Sequence, residues 1–198
     1  MKRLLICVAA LISACSPPAA KTDTPPADAP TADAAGNRIE ALTENAGRWC
    51  TGDGVWCVAV SAGRTVITHG NSEVANLTAG EVEVWPHIIR VGRNDERAIV
   101  GLITVDQQMY SGGSASVRWM SLFEAAPGQD ANWVLASIPL DAEAMIRACF
   151  TEEAAAARQE ACHDEYNFAG ALSLDPSVTE GPPRLVLTTE ASSFPGQR

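Results

Sequence analysis

Lysine is nearly absent from this chain. Only Lys2 and Lys21 occur in 198 residues, and from residue 37 onward there is none. Schiff-base lysine chemistry, a Walker-type phosphate lysine and a Ser–Lys dyad are therefore excluded from that region. Histidine is scarce too. His69, His87 and His163 are the only three, and none forms an H-x-x-x-H or H-E-x-x-H pattern, so each reads as a surface or packed structural histidine. There is no G-x-S-x-G elbow, no glycine-rich phosphate loop and no C-x-x-C redox pair, so no cofactor or metal is implied. The apolar run Leu4–Ala14 falls well short of the roughly 20 residues that span a bilayer as a helix. The formal charge is −10. Such a chain repels phosphate backbones, which argues against nucleic acid, and gains nothing from anionic lipid headgroups.

What is present begins at the N-terminus. Lys2 and Arg3 precede an apolar stretch broken only by Ser13, and Cys15 follows at once. Positive charge, a short apolar core and small residues in that order make an export signal. The end of it, Ile12-Ser13-Ala14-Cys15, resembles the lipobox of bacterial lipoproteins. The resemblance covers residues 1–15 alone. It implies a signal peptide of residues 1–14, cleavage before Cys15 and acylation of that cysteine, palmitate included. Ser16 implies, by similarity to Gram-negative lipoproteins, a lipid-anchored protein of the cell envelope, at the outer membrane and facing the periplasm. Residues 16–36 are almost wholly Pro, Ala, Thr and Asp. They hold nothing that can anchor a core, so residues 15–36 read as a lipidated cysteine and a disordered tether. Its reach runs from roughly 25 Å as a coil to roughly 65 Å extended. Residues 37–198 suit one domain.

Four cysteines remain in that domain, an even number in an exported chain, and read as two disulfides. Asp53-Gly54 is a two-residue hairpin signal. A turn centred there sets Cys50 directly opposite Cys57, at a separation a disulfide bridges. Cys149 and Cys162 bracket a helix-forming segment with Thr151 as N-cap and Glu152 and Glu153 in its first turn. A Cys₄ metal site is the rival reading, but neither pair has the C-x₂₋₄-C spacing.

Period-two alternation dominates the rest. Residues 55–62, 64–68, 82–91, 98–110, 114–124, 133–140, 166–174 and 185–189 read as strands, with Pro86 marking its strand as an edge or bulged one. Helices are expected near 39–46, 141–148 and 152–161. Many short strands joined by turns indicate an all-β antiparallel sandwich or barrel with one to three short helices, stapled by two disulfides.

Two surface features stand out. Glu152, Glu153 and Glu160, with Asp164 and Glu165, cluster about the second disulfide. A solvated helix face is the plain reading, and a docking patch for a basic protein the sharper one. The second feature is a long hairpin paired about Gly112-Gly113. That register sets Gln107 opposite Arg118 and Asp106 opposite Trp119, with Tyr110 nearby, a combination suited to a protein or saccharide partner. The expectation is a non-catalytic binding or interaction module anchored to a membrane through lipid on Cys15. Two alternatives stay open: an inhibitor of a basic envelope-attacking enzyme such as lysozyme, and an envelope hydrolase that uses carboxylates.

Overall fold

The computed structural model describes residues 31–195, residue 79 excepted. The signal, Cys15 and most of the tether lie outside the described residues. Twelve strands and one helix follow in chain order among them: β1 (Arg38–Ala41), β2 (Thr43–Asn45), β3 (Arg48–Cys50), β4 (Trp56–Ser61), β5 (Arg64–His69), β6 (Ser72–Thr78), β7 (Glu83–Val91), β8 (Arg97–Tyr110), β9 (Gly113–Ala125), β10 (Asn132–Arg147), α1 (Glu152–Ala157), β11 (His163–Leu174) and β12 (Leu185–Phe194). They build a seven-stranded sheet, β1-β7-β8-β9-β10-β11-β12, and a five-stranded one, β2-β3-β4-β5-β6. The pairings are antiparallel. The fold is all-β with curled sheets and both expected disulfides, Cys50–Cys57 and Cys149–Cys162, with Cα separations of 4.1 and 4.8 Å.

Strand β8 explains the layering. Successive side chains of a strand point to opposite faces. Ile99 and Ile103 join one core with Trp85, Met120, Leu122, Leu172 and Leu174. Ala98, Val100 and Leu102 join a second core with Trp56, Val58, Ile67, Ile88 and Phe123. Residues 98–103 are thus buried on both faces, which is why they read as an unbroken apolar run. The second core lies between the two sheets. The first lies inside the curl of the larger sheet, where β11 and β12 bend back and β11 comes alongside β1.

One buried cation joins the layers. Arg90 on β7 is 2% exposed. Its guanidinium meets Asp53 at 2.7 Å, Glu40 at 2.8 Å and Asp95 at 3.5 Å. Asp53 sits in the turn of the Cys50–Cys57 hairpin, Glu40 on β1 and Asp95 in the β7–β8 turn. Arg38 lies directly across from Arg90, a like-charge pairing that is unfavourable by itself; it shares Asp95, at 2.7 Å. Asn37, wholly buried, donates to Asp33 and to the Gly181 carbonyl and accepts from Gly92 N–H.

Several expectations are corrected. The segments expected as helix at 39–46 and 141–148 contain no helix: residues 39–41, 43–45 and 141–147 are strand. Their Ala, Glu, Leu and Met favour helix locally, but pairing with neighbours decides the outcome. Residues 141–147 are hydrogen-bonded between β9 and β11. The β2–β3 hairpin turns at Ala46-Gly47, with φ of 51° and 79°, the left-handed pair a two-residue hairpin needs. Helix α1 stops at Ala157 because Gln159 and Glu160 turn left-handed, at φ 53° and 65°. Of the two readings of the Pro86 strand, the bulged one holds: β7 is internal, and its register with β8 breaks between Val84 and Ile88, around Pro86. Residues 31–36, expected as the end of the tether, are bonded to the domain: Ala32 bridges Arg38 and Ala35 N–H donates to the Val178 carbonyl at 3.0 Å.

Truncating Arg90 leaves three carboxylates without their shared partner. Arg90→Ala is expected to cost about 3 kcal/mol, since breaking a buried ion pair is strongly destabilising, measured by urea unfolding. The Asp53 carboxyl is held well below the usual carboxylate range, chiefly by the Thr51 hydroxyl and further by Val55 N–H and Arg90, against the opposing effect of burial. A depressed carboxylate stabilises the fold above its unfolded value of about 4 and loses that contribution as pH falls toward the folded value. Unfolding free energy is therefore expected to decline steadily below about pH 4, and less steeply in Asp53→Asn. Equal acid slopes for both proteins contradict the assignment.

Candidate functional site

The cores support only half of the large sheet. On β8, residues 98–103 are buried and 104–110 exposed. The outer halves of β10, β11 and β12 are largely exposed as well, and that of β9 is half-buried between its neighbours. Together they form a five-stranded wing reaching past both cores. Its register sorts its side chains by face. Gln107, Ser116, Glu143, Asn167 and Ser192 are successive cross-strand partners, one from each strand. Neighbouring strands lie about 4.8 Å apart, so this polar row runs about 20 Å across the sheet. The next row on the same face is Met109, Ser114, Met145, Glu165 and Phe194. The opposite face carries Asp106, Val117, Ala142, Phe168 and Ala191 in one row and Gln108, Ala115, Ala144, Tyr166 and Ser193 in the next.

The polar face is hollowed. A pocket of about 320 Å³ includes Gln107, Ser116, Glu143, Glu165 and Asn167. Ser116 Oγ donates to Glu143 at 3.3 Å. It adjoins an open depression of about 940 Å³ between the hairpin tip and the segment around the second disulfide. Ser114 and Met145 line both. Met109 is 79% and Phe150 73% exposed, so the depression offers bare apolar surface. Its cation, Arg147, is 5.3 Å from the Phe150 ring centroid and donates to the Cys149 carbonyl. Glu152 and His163 complete the rim.

The geometry follows from two local constraints. The hairpin turns at Ser111-Gly112, with Tyr110 opposite Gly113. Gly113 has φ 155°, and a Cβ there would lie 1.8 Å from the Met145 carbonyl. It must therefore sit in the strand under β10, not at the turn. This overturns the register about Gly112-Gly113. Gln107 faces Ser116, not Arg118, and Asp106 faces Val117, not Trp119. The second constraint is the Cys149–Cys162 bridge, which holds the ends of β10 and β11 together as Ala148 N–H donates to the Cys162 carbonyl at 2.9 Å. Phe150 and α1 then stand up as a wall.

The residues singled out from sequence separate. Gln107, Tyr110 and Glu152 line the hollow. Arg118 is held at the root of the wing by Glu83 at 2.9 Å and Asp141 at 3.0 Å. Trp119 pairs with Thr104 and Pro139, in register with the opposite face. Glu153 and Glu160 are exposed on α1 and just beyond it, away from the lining. The carboxyl of Glu153 is held below its usual range by its own N–H and by the Thr151 hydroxyl, so it belongs to the helix cap. Asp164 pairs with Arg158. Sequence reasoning missed Glu143, Met145, Arg147 and Phe150. Reading 141–147 as a strand would have found the first three, which alternate onto one face.

No family model matches the chain, and no curated protein or solved structure matches it.

Residues 33–37 dock on the β11–β12 loop through Val178 and Gly181. Strand β11 runs from that end, at Leu174, to His163 at the depression. Twelve residues make roughly 40 Å of strand. The hollow and the docked residues 33–37 lie at opposite poles. Gly113→Ala is expected to break the β9–β10 contact at the tip and leave the cores folded. Faster amide exchange at 145–147, with unchanged exchange at 98–103, checks this; uniform protection contradicts it.

Proposed function

We propose that this protein is a non-catalytic binding module held at the envelope membrane by lipid on Cys15, on the periplasmic side of the outer membrane. Its partner is a basic protein that seats an apolar side chain in the depression. The observation that carries this is the hollow itself. Bare Met109, Met145 and Phe150 share their depression with Glu152 and Arg147, and Glu143 and Glu165 line the adjoining pocket, at the pole away from residues 33–37. Methionine-lined surfaces adapt to varied side chains. Carboxylates around them steer a cationic partner and favour its arrival. The overall charge of −10 works in the same direction. Inhibition of a basic envelope-attacking enzyme such as lysozyme is the specific form this activity takes if the bound partner is such an enzyme. The carboxylate-hydrolase reading has one observation in its favour, namely that Glu143 and Glu165 line the same pocket.

Association with lysozyme, used as a cationic protein probe, is the test. The triple variant Glu143→Gln, Glu152→Gln, Glu165→Gln is expected to slow association about tenfold at low salt, with little effect at high salt where exposed charges are screened. Unchanged association rates contradict the site. Turnover of a cell-wall glycan by the unmodified protein overturns the non-catalytic reading. Separately, Cys15→Ser is expected to move the protein from the membrane fraction to the soluble one. Undiminished palmitate labelling of that variant contradicts the anchor.

A further inference from the structure

We propose that two copies of this chain join edge to edge through β12. The inference stands independently of the binding reading above. Strand β12 ends the seven-stranded sheet. It pairs with β11 along all ten of its residues without a register break. Residues 188–194 are exposed throughout. An open edge presents a row of unpaired N–H and C=O groups, and proteins that stay monomeric blunt it with lysine, proline, bulges or a covering segment. Among the described residues none of those devices lies within β12, and Pro195 follows it directly. The strand holds no lysine, proline or glycine, and one charge, Glu190.

The other edges among the described residues differ. Strand β1 is four residues long and covered: Ile39 N–H donates to the Thr31 carbonyl and Ala32 bridges Arg38. In the small sheet, β2 has three residues, and β6 is paired with a register break. Strand β12 is the long, regular edge left open.

A second copy fits it for two reasons. The chain is acidic, and β12 is a stretch of surface where two copies meet with little repulsion. The strand is also self-complementary in one register. Antiparallel copies related by a twofold axis through Ala191 pair all seven residues of 188–194, about 23 Å of strand. Thr188 then faces Phe194, Thr189 faces Ser193 and Glu190 faces Ser192. An axis through Glu190 would instead set two carboxylates against each other, which is destabilising. The contact is isologous and uses the open edge of both copies. Since β1 is covered, assembly stops at two, and the wings merge into one ten-stranded surface.

The test uses the full mature chain carrying Cys15→Ser, so that lipid does not drive association. Sedimentation velocity is expected to show a concentration-dependent monomer–dimer equilibrium. Ala191→Lys sets two lysines on the axis and is expected to weaken the dimer at least tenfold, with an unchanged circular dichroism spectrum. Ala191→Cys is expected to cross-link to itself under mild oxidation, because opposed residues lie within disulfide reach, and Glu190→Cys is not. A protein that is monomeric at all concentrations overturns the proposal, as does a dimer insensitive to Ala191→Lys. Cross-linking through Glu190→Cys in place of Ala191→Cys overturns it as well.

Discussion

The burial of Arg90 is the constraint on which the sandwich depends. A guanidinium removed from water is costly unless it is paired, and removing a partner is costlier than never burying the charge. Here the partners come from three separate places in the chain: Glu40 on the first strand, Asp53 in the disulfide-closed hairpin and Asp95 in the β7–β8 turn. Satisfying Arg90 therefore brings the small sheet, the N-terminal strand and the centre of the large sheet to one point. Trp56, wholly buried in the core between the sheets, repeats the link by donating its indole N–H to the Asp95 carbonyl at 3.1 Å. The Cys50–Cys57 bridge keeps the Asp53 turn in shape. The polar knot selects one relative placement of the sheets, which apolar burial alone does not.

That anchoring frees the other half of the molecule. The strands of the large sheet are longer than the cores they cover, and the excess forms the wing. Arg118, tied to Glu83 and Asp141, fixes its root. The Cys149–Cys162 bridge fixes its far end. Between them both faces stay in contact with water, one carrying polar side chains and methionine, the other alanine and aromatic residues together with Asp106 and Gln108. A sheet exposed on both faces contributes little to stability for its length. Its cost makes sense as presented surface.

The architecture was legible where the signals are local. The strands at residues 98–110 and 114–124, and the Asp53-Gly54 turn that sets Cys50 against Cys57, needed no knowledge of distant residues. The failures share a cause. Residues 141–148 carry Ala, Glu and Met, good helix formers, and only pairing on both sides by strands far along the chain makes them β. The hairpin register went wrong by two residues because Gly113 is required by the passing carbonyl of Met145, a contact invisible in the hairpin itself. The candidate site was half legible. Gln107, Tyr110 and Glu152 were found, each by its own neighbourhood. Glu143, Arg147 and Phe150 join them through sheet pairing and a disulfide. Arg118, which looked free, is consumed by carboxylates contributed from two other strands.

The most direct measurement of the central claim is amide hydrogen exchange of the intact protein, alone and with excess lysozyme as the cationic probe. If the hollow is the binding surface, protection should rise at 107–116, 143–152 and 163–167 and stay constant on the small sheet and at 33–37. Protection confined to the small sheet, to the opposite face of the wing or to the N-terminal pole would contradict the account, and so would no change anywhere at saturating probe.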